Sequence, residues 1–156
     1  MNEVWKKPPV SFEAYQAMVG KEIGVSSWHL IDQSRINVYA DVIEDHQFIH
    51  VDPERAKKET AFGNTIAHGF LTLSLLSELG KRTMAVDGVR MGINYGLNRV
   101  RFVSPVPSGS RVRGRFLLAA IEDISGGAQA TWNVTVEREG SEKPCCVAEW
   151  LVRYYE

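Results

Sequence analysis

The chain has 156 residues, 44% of them hydrophobic and 24% charged, with a formal net charge of -1. That length is most simply one domain spanning 1–156, large enough to bury a core without disulfides or a structural metal. A near-neutral balance leaves no cationic excess for a run of phosphates, which argues against a nucleic-acid partner. No apolar stretch approaches the ~20 residues of a membrane span, and Met1 to Pro9 lacks the apolar run of a signal peptide, so no membrane role and a cytoplasmic location are expected.

In chain order, Ser11 to Gly20 reads as a short helix with Ser11 as N-cap and Gly20 as stop. Trp28 to Asp32 reads as a strand, and Gln33 to Glu44 as a helix with Ile36, Val38, Tyr39, Val42 and Ile43 on a broad apolar face. Asp52-Pro53-Glu54 is a helix start, an Asp cap followed by proline at the first helical position, so Arg55 to Glu59 is expected to be helical. Because Asp52 precedes proline, the helix ending near Glu44 cannot run straight on. Asp45 to Val51 is therefore expected to form a loop or a broken turn.

A further helix is expected from about Ile66 to Lys81, apolar around nearly its whole circumference and so buried on most sides. Four strands follow: Met91 to Val103, Arg111 to Glu122, Ala128 to Arg138 and Pro144 to Tyr155. Trp132, Val134 and Val136 alternate with polar neighbours, as in a sheet with one wet face. Turn signals at Pro105-Val106-Pro107-Ser108-Gly109, Ser125-Gly126-Gly127 and Glu139-Gly140-Ser141 have hairpin spacing. One buried helix plus antiparallel strands implies an α+β domain in which the sheet wraps a long central helix, the hotdog arrangement. Its edge strands favour a homodimer paired edge to edge. The adjacent Cys145 and Cys146 point to opposite faces of a strand, and neither a disulfide nor a zinc site is expected from them.

Chemistry concentrates in Asp45-His46-Gln47-Phe48-Ile49-His50-Val51-Asp52. On one continuous helix, Asp45 and His50 would lie ~140° apart at ~100° per residue, whereas a loop lets them converge. A carboxylate and an imidazole together can hold a water, one group taking its proton. The plainer alternative is a capping aspartate and a histidine bonded to backbone, and from spacing alone that alternative is favoured. His46 and His50, four apart, suggest half a metal site, but the broken helix weakens that geometry and Asp52 is explained as a cap. No metal is expected. Gly69 lies near the start of the apolar helix, where unpaired amides could stabilise an oxyanion and the missing Cβ allows close approach. The plainer alternative is that it only relieves crowding where the helix crosses the sheet, and from Gly69 alone that alternative is favoured; His68 could align this corner or be structural.

Tyr39-Ala40-Asp41-Val42-Ile43-Glu44-Asp45-His46-Gln47-Phe48-Ile49-His50-Val51-Asp52, with Phe62-Gly63-Asn64-Thr65-Ile66-Ala67-His68-Gly69-Phe70-Leu71, resembles the hydratase motif of the MaoC-like dehydratases. These are (R)-specific enoyl-CoA hydratases of the hotdog superfamily, and Asn94-Tyr95-Gly96-Leu97-Asn98-Arg99-Val100-Arg101-Phe102 is closer to the nodulation protein N branch. The resemblance implies Asp45 and His50 as the dyad and Gly69 as the amide that meets the thioester oxygen. It further implies an acyl-CoA substrate and no metal or redox cofactor; beside these residues, Gln47 keeps an amide that could orient the loop and His68 is the candidate support next to Gly69. The chain departs from the wider family's Ser/Thr-Gly at Ile43-Glu44 and from its Asn-Pro at Gln47-Phe48. The expected reaction is reversible hydration of a trans-2-enoyl-CoA to the (R)-3-hydroxyacyl-CoA. A non-catalytic acyl-thioester-binding subunit and a hotdog thioesterase are the alternatives.

Overall fold

The computed structural model describes residues 11–81, 83 and 86–156; the segment Met1 to Pro9 lies outside them. Four long strands carry the architecture: β3 (Met91–Arg101), β4 (Ser110–Ile124), β5 (Gly127–Arg138) and β6 (Cys146–Tyr155), with β1 (Glu22–Val25) and β2 (His29–Ile31) before them. All pairings are antiparallel, in the order β1-β4-β5-β6-β3, and β2 also pairs with β4. The central register sets Trp132 opposite Trp150 and Phe116 opposite Val134. Gly126 and Gly140 take φ of 78° and 73° in the two hairpin turns, a region that a side chain would disfavour.

Strand alternation decides the core. Ala128, Ala130, Trp132, Val134 and Val136 of β5 are buried, as are Ala148, Trp150 and Val152 of β6 and Val112, Phe116 and Leu118 of β4. With period 2 these all fall on the sheet's inner face. Against that face lie α5 (Gly69–Ser74) and α6 (Leu76–Lys81), which bring Leu71, Leu75, Leu76 and Leu79 into the same cluster. Gly80 of α6 faces the Trp150 and Phe116 rings, where a Cβ would make ordinary contacts at 3.4 and 3.5 Å. The short helix α1 (Phe12–Gln16), capped by Ser11, closes one end by setting Tyr15 edge-on to Trp132, with ring centroids 6.0 Å apart. This is the hotdog fold, a curved antiparallel sheet around a central helix.

Several boundaries differ from those expected. The central helix begins at Gly69, because Ile66 forms a bridge to Pro107 and the Ala67 amide donates to the Val106 carbonyl at 2.8 Å. It is also interrupted: the Leu75 amide donates to Thr72, three residues back. The Ser74 hydroxyl donates to the Leu71 carbonyl at 2.7 Å and so competes with the helical ladder. Nor is the helix buried all round, since Phe70 is 65% exposed and packs edge-on to Phe102. β1 escaped sequence reasoning because only Ile23 and Val25 of its four residues are apolar. Cys145 and Cys146 are both buried and both free; Cys145 stands just before β6 and is held by its backbone bond to Val136.

Candidate active site

Three short helices build the site's outer wall: α2 (Gln33–Ile43), α3 (Phe48–Val51) and α4 (Pro53–Glu59). Asp32 caps α2 by accepting from the Arg35 amide at 2.9 Å, and Asp52 caps α4 by accepting from the Arg55 amide at 3.0 Å. Between them the chain turns sharply at Glu44, which has φ 58° and ψ 28° and is the one non-glycine residue with positive φ among those described. Here the wider family carries glycine, the residue this backbone favours. The left-handed turn sends both the Glu44 and Asp45 amides back to the Ala40 carbonyl. Residues 45–47 then form no regular element, and a single helical turn, α3, carries His50. The expected loop is therefore only half a loop: its second part is helical.

That turn delivers Asp45 and His50 to the same place. One side-chain donor atom from each of Asp45, His50 and His68 lies within 4.8 Å of the others. His50 is 7% exposed. Its Nδ1 lies 2.7 Å from the Ile66 carbonyl oxygen, so in the neutral ring the proton sits on Nδ1 and the lone pair on Nε2. Burial lowers the His50 pKa below the ordinary imidazole value; the Ile66 carbonyl opposes this, His68 adds to it, and Asp45 opposes it. Asp45 is half-buried, and its carboxylate also accepts weakly from the Gln47 amide at 3.3 Å.

His68 is the N-cap of α5 and is buried. Its ring stacks on that of His50 with centroids 3.8 Å apart and planes at 25°. Stacking confines the two in-plane lone pairs to separate, nearly parallel planes, which is poor geometry for a shared metal ion. Gly69, the next residue, presents an amide with no carbonyl four residues back to receive it. A Cβ at Gly69 would meet the Phe102 ring at 2.8 Å. Relief of crowding is therefore one reason for this glycine. His50, Gly69, Thr72, Phe102, Ser104 and Cys145 share a cavity of about 240 Å³. Burial pushes the Cys145 thiol up to about 12, so that wall offers no thiolate nucleophile near neutral pH.

Two sequence candidates stand apart. His46 is exposed and pairs with Asp41 at 2.8 Å, away from the other histidines. Gln47 was expected to orient the loop with its amide, but its exposed side chain makes no hydrogen bond among the described residues; it is the Gln47 backbone carbonyl that accepts from the His50 amide, at 2.9 Å. The amide that does orient this region is Gln33, which donates to the His50 carbonyl at 2.7 Å and accepts from the buried Thr65 hydroxyl. Nothing in the sequence marked Gln33, since its partners lie 17 and 32 residues away.

A curved antiparallel sheet around a central helix places the chain among the hotdog-fold proteins. The chain belongs to the MaoC-like dehydratase family: the model for the "MaoC like domain" matches residues 14–139. It is 55% identical over 139 residues to 3-hydroxyacyl-thioester dehydratase Z of Mycobacterium tuberculosis, covering 88% of this chain and 91% of that protein. It is 50% identical over 144 residues to nodulation protein N of Rhizobium meliloti, covering 91% and 89%. Among solved structures, an (R)-hydratase from A. caviae involved in PHA biosynthesis superposes with a TM-score of 0.66 at 25% identity, covering 86% of this chain and 94% of that one. A protein from Archaeoglobus described as a monoamine oxidase regulatory protein shares the fold with a TM-score of 0.78 at 22% identity, covering 96% and 97%.

Proposed function

We propose that this protein is an (R)-specific hydratase of trans-2-enoyl-CoA thioesters, acting reversibly as a 3-hydroxyacyl-CoA dehydratase. The observation that carries this reading is the meeting of Asp45 with a His50 whose Nε2 is left as the free base, beside a cavity that Gly69 also lines. A ring nitrogen of His50 and a carboxylate oxygen of Asp45 lie within 4.8 Å of each other, a separation that one water can bridge. Asp45 orients it by accepting one proton in a hydrogen bond, and His50 Nε2 takes the other as the water oxygen bonds to C3. The electron pair of the C2–C3 double bond moves toward the thioester, whose oxygen carries the enolate charge against the Gly69 amide. The proton held by His50 then passes to C2, so that the elements of water are added and the dyad returns to its starting state. Dehydration is the reverse.

No step uses a metal or redox cofactor. The test is incubation of the purified protein with trans-2-enoyl-CoA substrates of increasing chain length, followed by the enoyl absorbance and chiral analysis of the product. Loss of absorbance with formation of the (R)-alcohol is expected. Release of free CoA thiol would indicate a thioesterase, and binding with no absorbance change a non-catalytic acyl-thioester subunit; either would overturn the reading.

A further inference from the structure

Inside the cluster of Asp45, His50 and His68, the His68 side chain touches the Asp45 backbone and the His50 ring. His68 Nε2 lies 3.0 Å from the backbone carbonyl oxygen of Asp45. A carbonyl can only accept, so Nε2 carries the proton and donates it. The face of the same ring lies on His50. The ring also meets that of Tyr39 of α2, with centroids 5.3 Å apart. His68 Nδ1 is buried and has no hydrogen-bond partner among the described residues. A histidine kept only to fill the core would leave a buried polar atom unsatisfied without return, at a cost that an apolar ring would avoid.

We infer that His68 is a positioning residue for both members of the dyad, fixing the Asp45 backbone through its Nε2–H and the His50 ring through its stacked face. The inference rests on the hydratase reading of Asp45 and His50. Without His68, Asp45 is held on the helix side only by the strained turn at Glu44, and His50 keeps its bond to Ile66 but can tilt. Misalignment of that kind slows chemistry more than it weakens substrate binding.

Two variants of the full chain separate the two contacts. His68→Phe keeps a flat ring for the stack and removes the donor; His68→Gln keeps a side-chain N–H and removes the stack. With trans-2-butenoyl-CoA, kcat is expected to fall by about 10- to 100-fold in His68→Phe, with KM changed by no more than about threefold. His68→Gln is expected to recover part of that loss. Melting temperatures are recorded for both, and a fall in stability with kcat unchanged in both variants would overturn the inference.

A second readout needs no turnover. The groups facing His50 are Asp45, His68 and the Ile66 carbonyl, with the Cys145 thiol across the cavity. Followed by NMR, the His50 ring is expected to titrate at a higher pH in both His68 variants than in the parent chain, because His68 is one of the groups that lower it. If the parent chain hydrates no enoyl thioester, the hydratase reading fails, and this titration still decides: an unchanged His50 curve in both variants overturns the role of His68.

Discussion

At the scale of single residues, the site depends on two that sit in unfavourable surroundings. Glu44 occupies the left-handed region at φ 58°, where a side chain costs roughly 1–2 kcal/mol and glycine almost nothing. The greater freedom of glycine in the unfolded chain offsets part of that gain. Glu44→Gly is expected to stabilise the fold by about 0.5–1 kcal/mol, as measured by urea unfolding. The sequence motif showed a departure here, but the left-handed backbone that makes it costly emerges only with the Ala40 carbonyl accepting two amides. His50 is the second such residue. Its pKa is lowered chiefly by burial, so the folded state releases its proton more readily than the unfolded chain, whose histidine titrates at about 6.5. Between those two values the unfolded state binds more protons, and stability is lost as pH falls through that window. The acid limb of kcat/KM is expected below the ordinary imidazole range for the same reason. Both are read from pH profiles of melting temperature and rate, and His50→Gln should remove this contribution from the stability profile.

Elements explain why the convergence of Asp45 and His50 was legible and the hold of Gln33 on it was not. Asp52-Pro53 and the residues before it show locally that α2 cannot continue, which is enough to bring Asp45 and His50 out of helical register. The dependence of that loop on α2 is non-local: Gln33, at the first turn of α2, holds the His50 carbonyl and the hydroxyl of the fully buried Thr65. Gln33→Ala leaves both groups without that partner and is expected to cost about 1–3 kcal/mol in unfolding free energy, together with part of kcat. The central helix shows the opposite failure. Its apolar run from Ile66 to Lys81 suggested one continuous element, yet Ile66 and Ala67 are drawn into bridges with Pro107 and Val106, and Ser74 bonds back on its own turn. Tertiary partners beyond the window set the true boundary at Gly69, and with it the position of the candidate oxyanion amide.

At the scale of the whole molecule the sheet has two edges, the short β1 and β2 at one and the long β3 at the other. β3 ends the strand order, and Met91, Ile93, Tyr95 and Leu97 along it are 42–52% exposed. An apolar edge strand of eleven residues is a ready surface for pairing with a second copy. A homodimer is expected in solution, and Ile93→Lys with Leu97→Lys is expected to give a monomer by sedimentation. The alternation of β5 and the turn signals around it made the sheet readable from sequence. Its order and the Trp132–Trp150 register did not emerge there, because strand pairing depends on which faces the helix covers. No helix among the described residues is long and apolar enough to cross a membrane.

The central claim is that Asp45 and His50 act as one unit on one water. Its most direct test is kcat on trans-2-butenoyl-CoA for Asp45→Asn, His50→Gln and the double variant, each checked for a native melting profile. Each single change is expected to cost about 10²–10⁴ in rate, and the double variant little more than the larger single loss. Losses that multiply in the double variant, or parental activity in either single one, would contradict it.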